Sequence, residues 1–221
     1  VVVKPTNYEG GGLGVFYKHT AVLPDTEHIE LMRIKRKFVL NLPEFQEHGQ
    51  FFPLFSTAMG ELMSDPTFDF VSKYATEKNI LMFCLTIFLS QSKNPHSEAF
   101  CIDDTERVDL KLAKEYVDFV QKYIGLVLME TTVTTPLLYT EKKLEQYKSL
   151  FPFLSDVLEH QHSFLQKLQA FFESALHINI DLKDLYQLYS AFGSRSLQIP
   201  EEISSVTEEF QVSESLVPVL D

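Results

Sequence analysis

The sequence contains no tryptophan and only two cysteines among its 221 residues. Cys84 and Cys101 are too few for the disulfide framework of a small secreted domain, and they indicate a reducing compartment. The longest apolar run, ILMFCLTIFL (80–89), is shorter than the roughly 20 residues that a membrane-spanning helix needs. We therefore expect no membrane partner and a cytoplasmic location, with the nucleus as a second one.

Positive charge is also scarce: 19 Lys and Arg residues stand against 31 Asp and Glu residues, and the net charge is −12. RIKRK (33–37) is the one basic cluster, and the residues after 200 contain no Lys or Arg. Because phosphate contacts dominate nucleic-acid affinity, an acidic chain is a poor nucleic-acid binder. It suits a basic polypeptide partner. The alternative is that the acidic residues only keep the surface soluble.

Two kinds of periodicity divide the chain. Short β-prone segments with glycines come first, helical spacing of apolar residues follows from residue 51, and a strand-like run closes the sequence. This order predicts an α+β fold in which a large helical region is inserted between short β-strands. The predicted units are a β region at 1–50, a helical insert at 51–193 and a return to β structure at 194–221.

The residues give little support for a metal site or a nucleophile. EHQH offers His160 and His162, but side chains two apart on a helix point to different sides, so they cannot chelate one ion together. Cys84 lies in an apolar run rather than an electropositive one, which disfavours an activated thiol. The sequence contains no G-x-S-x-G nucleophile elbow.

Two segments are candidates for ligand binding. GGGLG (10–14) lacks the Lys-Ser/Thr of a phosphate loop, but its glycines would let backbone lie against a flat or bulky ligand, unless they form a simple turn. In SAFGSRSLQIP (190–200), Gly193 is predicted to end a helix. Arg195 then lies between hydroxyl side chains, where its guanidinium could bind a carboxylate or form a salt bridge within the protein.

Four motifs, in this order, resemble the SET-domain protein lysine methyltransferases that act on non-histone substrates. GGLGVF (11–16) resembles the opening glycine strand of that family, and TTPLLYTEKKL (134–144) resembles a segment of its helical insert. LYSAFGSRSLQI (188–199) resembles its helix ending in Ser-Arg-Ser. LVPVLD (216–221) resembles a strand after which the family places Asn-His and a catalytic tyrosine.

The resemblance implies transfer of a methyl group from S-adenosyl-L-methionine to a lysine of a basic protein, such as a ribosomal protein or translation factor. It implies cofactor-binding roles for the following residues: Gly12, Leu13, Gly14, Ser194, Arg195 and Asp221. The catalytic tyrosine and the Asn-His pair have no counterpart, so no catalytic residue is predicted in this chain. We therefore expect the SET β region to be incomplete at its C-terminus and the chain alone to be inactive.

The sequence also departs from the family pattern. Leu197 stands where the family usually has Phe, and the Trp-x-x-Tyr signal of the helical insert is absent. These departures affect the substrate groove more than the cofactor site. The alternative interpretation is a non-catalytic SET-like helical module that binds a partner protein.

Overall fold

The computed structural model of this chain describes residues 2–5, 13–16, 39–64, 76–93, 108–201 and 211–216, and the side chains of 39–64, 76–91 and 110–195. Strands β1 (Val2–Pro5) and β2 (Leu13–Phe16) pair antiparallel, with Val3 opposite Val15. Strands β3 (Ser196–Glu201) and β4 (Gln211–Leu216) form a second antiparallel pair.

The described residues between these strand pairs form seven α-helices: α1 (Leu42–Gly49), α2 (Pro53–Ser64), α3 (Glu77–Lys93), α4 (Val108–Tyr123), α5 (Glu141–Leu150), α6 (Ser155–Leu176) and α7 (Leu182–Arg195). A π-helical turn (Ile124–Leu128) continues α4. Two 3₁₀ turns, Pro136–Leu138 and Pro152–Leu154, precede α5 and α6. None of the described helices is long and apolar enough to cross a bilayer.

Helical structure begins nine residues earlier than the predicted start at residue 51, because α1 starts at Leu42. The side-chain Oδ1 of Asn41 accepts a hydrogen bond from the backbone N–H of Glu44 at 3.0 Å, and a proline occupies the first turn. Asn at the N-cap with Pro directly inside is a strong helix-start signal. The signal was present in the sequence NLPE (41–44).

Helix α3, which contains the longest apolar run of the sequence, forms the centre of the described core. Residues 81–91 are buried without interruption. Its buried hydroxyls are satisfied within the helix, since Thr86 Oγ1 donates to the carbonyl of Met82 and Ser90 Oγ to that of Ile87, both at 2.7 Å. Cys84 is a free, buried thiol whose pKa is raised by burial, which agrees with a packing role rather than a nucleophilic one.

Aromatic rings connect α3 to its neighbours. Phe83 packs against Phe171 and Phe172 of α6, with ring centroids 5.6 and 5.5 Å away. Phe88 stacks at 5.5 Å on Phe45 of α1 and at 6.1 Å on a ring of α2. Such ring pairs add stability beyond the apolar area that they bury, and they lock three helices to one central helix.

The expected α+β fold, with the β-strands of a SET region around a helical insert, is wrong. In the described residues the core lies on helices and their short connections. The described strands pair only two by two, β1 with β2 and β3 with β4, rather than joining in a common sheet. The physical reason is that the apolar faces of the helices are covered by one another around α3, so a sheet is not needed to bury them.

Replacing Gly49 by alanine should destabilise the fold. A Cβ at Gly49 would come within 2.7–2.9 Å of the Phe55 ring, which is buried in the core. Overpacking of this kind costs about 1–3 kcal/mol. Gly60→Ala is the matched control, because it adds the same methyl group to a helix where nothing lies within 4 Å. We expect the control to gain up to about 1 kcal/mol from helix propensity. Urea unfolding measures both changes, and equal effects would contradict this account.

Tyr116 should make the stability depend on pH in the alkaline range. Its hydroxyl is buried without a hydrogen-bond partner among the described residues. Burial, then the Glu44 charge and the Cys84 thiol, raise the pKa of Tyr116 well above 10. The folded state holds this proton more tightly than the unfolded chain does. The resulting contribution of Tyr116 to the free energy of unfolding is therefore complete below about pH 10 and is lost as the pH rises further.

Tyr116→Phe removes both the unpartnered hydroxyl and this titration. We expect a free energy of unfolding at pH 7 that is unchanged or higher by up to about 1 kcal/mol. We also expect a smaller loss of stability between about pH 10 and 11, where one such proton is worth about 1.4 kcal/mol per pH unit. Denaturant midpoints at both pH values measure this, and an unaltered alkaline loss would contradict it.

Candidate functional site

Helix α7 carries two of the predicted cofactor-binding residues, Ser194 and Arg195, at its C-terminal end. Its inner face is apolar and buried, and consists of Leu185, Leu188, Tyr189, Ala191 and Phe192. The prediction that Gly193 ends the helix is wrong, since α7 continues to Arg195 and β3 follows directly. A helical glycine costs only about 1 kcal/mol relative to alanine, which the buried face of α7 outweighs.

The last turn of α7 holds the arginine head in place. Ser194 Oγ donates a hydrogen bond to the carbonyl of Ala191 at 2.8 Å. The same oxygen accepts from Arg195 Nη1 at 3.0 Å. The serine thus holds the guanidinium of Arg195 against the helix end. One edge of this planar, permanently charged group is therefore fixed before any ligand binds.

The threonine segment, residues 131–135, lies beside this helix end and has no regular secondary structure. Gln187 of α7 fixes its position, because its Nε2 donates to the carbonyls of Leu128 at 3.0 Å and Thr131 at 2.6 Å. Thr131 Oγ1 also donates to the carbonyl of Val127 at 2.5 Å. The segment is therefore attached both to the π-helical turn before it and to α7.

The threonine segment and the end of α7 enclose a pocket of about 640 Å³, which we call the first pocket. Helix α3 contributes Lys78 to it and α6 contributes Gln161. Its lining consists of Lys78, Thr131, Thr132, Val133, Thr134, Thr135, Leu137, Gln161, Tyr189, Ser190, Gly193, Ser194 and Arg195. The volume lies in the range of about 300–1,000 Å³ that small-molecule sites have.

The charge of the first pocket is one-sided. Its lining includes two cations, Lys78 and Arg195, and no acidic side chain among the described residues. Lys78 Nζ lies over the ring of Tyr189, 4.9 Å from its centroid, and 5.9 Å from that of Phe192. A Cβ at Gly193 would come within 3.3 Å of Lys78 Nζ, so the glycine leaves the room that this ammonium uses. Such a pocket favours an anionic group such as a carboxylate.

The hydroxyl groups of Tyr189 and Ser190 also line the first pocket. Burial raises the pKa of Tyr189, an effect that a hydrogen bond with Gln161 partly offsets, so the phenol stays neutral at physiological pH. Ser190 Oγ is buried and has no hydrogen-bond partner among the described residues. A buried hydroxyl without a partner is costly, and a polar ligand in the pocket would satisfy it.

The structure brings together part of the predicted site. Ser194 and Arg195 share the first pocket with Thr134 and Thr135, so the second and third of the four motifs meet there. Leu13 and Gly14 lie in β2, paired with Pro5 and Lys4 of β1. Gly12, the motif position before β2, and Asp221, in the last motif, fall outside the described residues.

Several lining residues were missed from the sequence. Tyr189 and Ser190 belong to the quoted motif around Arg195 and could have been found by their position on the same helix. Lys78 and Gln161 gave no signal, because each comes from a different helix far away in sequence.

One member of the histidine pair of α6, His162, has a local role in this structure. His162 Nδ1 forms a hydrogen bond with the hydroxyl of Tyr186 on α7, and the two rings stack with centroids 5.6 Å apart. Within the described part of the chain, no group of three or more His, Cys, Asp or Glu residues is placed to hold a metal ion.

Comparison with known proteins finds relatives over almost the whole chain. Residues 2–221 match the family described as cytochrome c lysine N-methyltransferase 1. The protein of that name from Saccharomyces cerevisiae is 26% identical over 237 residues, covering 99% of this chain and 35% of the relative. The one from Candida glabrata is 35% identical over 106 residues, covering 46% of this chain and 18% of the relative.

The chain thus spans about a third or less of the length of these curated relatives. No solved structure matches it. Because the family match extends over nearly every residue, the chain belongs to the cytochrome c lysine N-methyltransferase 1 family.

Proposed function

We propose that this chain is part of an S-adenosylmethionine-dependent protein lysine N-methyltransferase, and that the first pocket binds the methionine end of the cofactor. The observation that carries the proposal is the meeting of Arg195, Ser194 and the threonine segment in one cationic pocket. Membership of a lysine methyltransferase family supports the reaction type and, through it, S-adenosylmethionine as methyl donor.

The lining suits the polar groups of that cofactor. The guanidinium of Arg195 is already oriented by Ser194, and it would hold the methionine carboxylate as a charge-assisted pair. Lys78 would add a second positive charge on the same side. The hydroxyls of Ser190 and the threonine segment would bind other polar groups of the cofactor, since they are the donors and acceptors that line the remaining wall.

The reaction needs a neutral lysine amine, and the charge of the pocket helps to provide it. When bound, S-adenosylmethionine supplies a methyl group whose bond to a positively charged sulfur breaks as the lysine nitrogen bonds to the carbon. The cations of the first pocket and the positive sulfur of the bound cofactor would disfavour a further positive charge close by, which would lower the pKa of an approaching lysine. The remaining contribution is alignment of the amine with the methyl group.

We further propose that the protein acted on is basic, and that it is cytochrome c. Both named relatives carry cytochrome c in their names. The net charge of −12 on this chain supports attraction to a basic protein.

Gly12, Leu13, Gly14 and Asp221 are proposed as further cofactor contacts on the basis of their motifs. The division at 1–50, 51–193 and 194–221 and a cytoplasmic location with the nucleus as a second one are likewise proposals. The narrower assignment to the SET-domain branch stays a prediction from the four motifs. Family membership lends no support to the expected inactivity of the isolated chain or to a non-catalytic interaction module.

Arg195→Met should weaken cofactor binding. Loss of a charge-assisted hydrogen bond pair costs about 1.5–3 kcal/mol, so we expect S-adenosylhomocysteine to bind about 10- to 100-fold more weakly in calorimetry. The affinity of Arg195→Lys for S-adenosylhomocysteine should lie between those of the parent protein and Arg195→Met. Lysine keeps the positive charge but lacks the paired N–H donors of the guanidinium.

Lys183→Met is the matched control for this experiment. It also removes one positive charge from α7, but its side chain is exposed and does not line the first pocket. Unchanged affinity in Arg195→Met, with its thermal unfolding intact, would contradict the proposed role of Arg195.

A further inference from the structure

A continuous series of aromatic rings, which we call the aromatic surface, runs from the end of the TTPLLYT motif to the start of α6. Tyr139 contacts Tyr147 with ring centroids 5.9 Å apart, Tyr147 contacts Phe151 at 5.1 Å, and Phe151 contacts Phe153 at 6.4 Å. The rings touch edge to face or at a tilt, so the surface is ordered by its own contacts.

The far end of the aromatic surface is open to solvent. Phe153 is 74% exposed, Phe151 41%, and their neighbours Leu150 and Val157 are 73% and 50% exposed. Among the described residues, seven large apolar side chains are exposed, and four of them lie within these eight positions. Clustered exposure of this kind is typical of a protein interaction site, whereas single exposed apolar residues are ordinary.

A second pocket, of about 480 Å³, adjoins the aromatic surface and shares Tyr139 with it. Three rings line it, Tyr139, His162 and Tyr186, together with the carboxylates of Glu141 and Glu159 and the ammonium of Lys148. Two of these rings are fixed by the hydrogen bond between His162 and Tyr186. Aromatic walls with carboxylates suit a side chain that has an apolar stem and a positively charged head.

Lysines of the chain itself show that these groups bind ammonium. Lys143 Nζ lies 3.9 Å from the ring centroid of Tyr139. Lys148 Nζ lies 3.0 Å from Glu159 Oε1, and this contact lowers the pKa of the Glu159 carboxyl. Glu159 is exposed, so its ion pair with Lys148 is weak and open to exchange with another ammonium.

We propose that the aromatic surface and the second pocket together form a docking site for the basic protein that is methylated, with the second pocket taking a lysine other than the methylated one. This inference rests on the proposed function, whose substrate it addresses. Leu137 lines both pockets, so the docking site borders the proposed cofactor site.

The charges of the two pockets assign them different lysines. The carboxylates of the second pocket favour a charged ammonium, while the cations of the first pocket favour the neutral amine that reacts. A lysine held as a cation does not react with the methyl group, but it does position the protein that carries the reacting one. The net charge of −12 supports a basic protein as the occupant rather than a second copy of this acidic chain.

The test uses the full-length protein and cytochrome c, with direct binding measured by calorimetry and methyl transfer measured separately. Phe153→Ser should weaken cytochrome c binding about tenfold, as loss of a central aromatic contact does. Val157→Ser, a second exposed position, should weaken it in the same direction. Leu126→Ser is the matched control, because Leu126 is 73% exposed but lies on the π-helical turn, and its binding should stay unchanged.

Removal of a charged side chain tests the second pocket, and here we expect the affinity for cytochrome c to rise rather than fall. Lys148→Met removes the internal ammonium that competes for Glu159, so cytochrome c should bind about threefold more tightly. Lys122→Met is its control, since Lys122 forms a comparable exposed ion pair with Asp118 on α4. In both experiments, the affinity for S-adenosylhomocysteine should not change.

The docking site would be overturned if Phe153→Ser and Val157→Ser bound cytochrome c as tightly as the parent protein. It would also be overturned if Phe153→Ser changed only the oligomeric state in sedimentation, because the surface would then join copies of the protein. Absence of methyl transfer by the parent protein would instead refute the proposed function. The binding measurements distinguish these results, since they do not require catalysis.

Discussion

Burial of helix α3 around its whole circumference is the constraint on which the remaining helices depend. Residues 81–91 have no exposed face, so other elements must cover every side of this helix. Helices α1, α2, α4 and α7 and the π-helical turn all contact it. Each of these elements uses one apolar face for this purpose and keeps polar residues elsewhere. The first pocket arises where two of the polar sides meet, as Lys78 in the first turn of α3 reaches the end of α7.

The threonine segment is the part of the pocket that regular secondary structure does not hold. Its position depends on Gln187, which bonds two carbonyls of the segment and the turn before it. A side-chain amide that bonds backbone carbonyls sets the distance between an irregular segment and a helix. Helix α7 thus supplies both the arginine and the group that holds the opposite wall. One rigid helix therefore holds both walls of the first pocket in position, as a precise binding site requires.

Two neighbouring pockets differ in charge, as the proposed binding of a cofactor and of a basic protein requires. The first pocket is cationic and the second contains carboxylates, yet they share Leu137. One environment suits a carboxylate ligand and a neutral amine, and the other suits an ammonium. The TTPLLYT motif (134–140) contributes residues to both pockets. Thr134 and Thr135 line the first pocket, and Tyr139 lines the second.

The sequence predicted the parts of the structure that have strong local signals. The apolar run at 80–89 lies in α3, and the helical spacing of apolar residues predicted from residue 51 corresponds to helices α2 to α7. Helix α1 was missed although Asn41 and Pro43 mark its start, because the β-prone run before it dominated the interpretation. The fold class was missed because β-prone and helical spacing indicate the order of elements along the chain, while strand pairing is decided by tertiary packing. Arg195 was found through its motif. Lys78 was not, because only the packing of α3 against α7 brings it into the same pocket.

The most direct test of the account is amide hydrogen exchange of the full-length protein with and without S-adenosylhomocysteine. The account predicts slower exchange on binding in two described segments, residues 131–137 and 189–195, which line the first pocket. Segments of α2 and of the second half of α6 should exchange as before, since neither contributes a residue to the lining of the first pocket. Slower exchange elsewhere, with no change in the threonine segment or at the end of α7, would contradict the central claim.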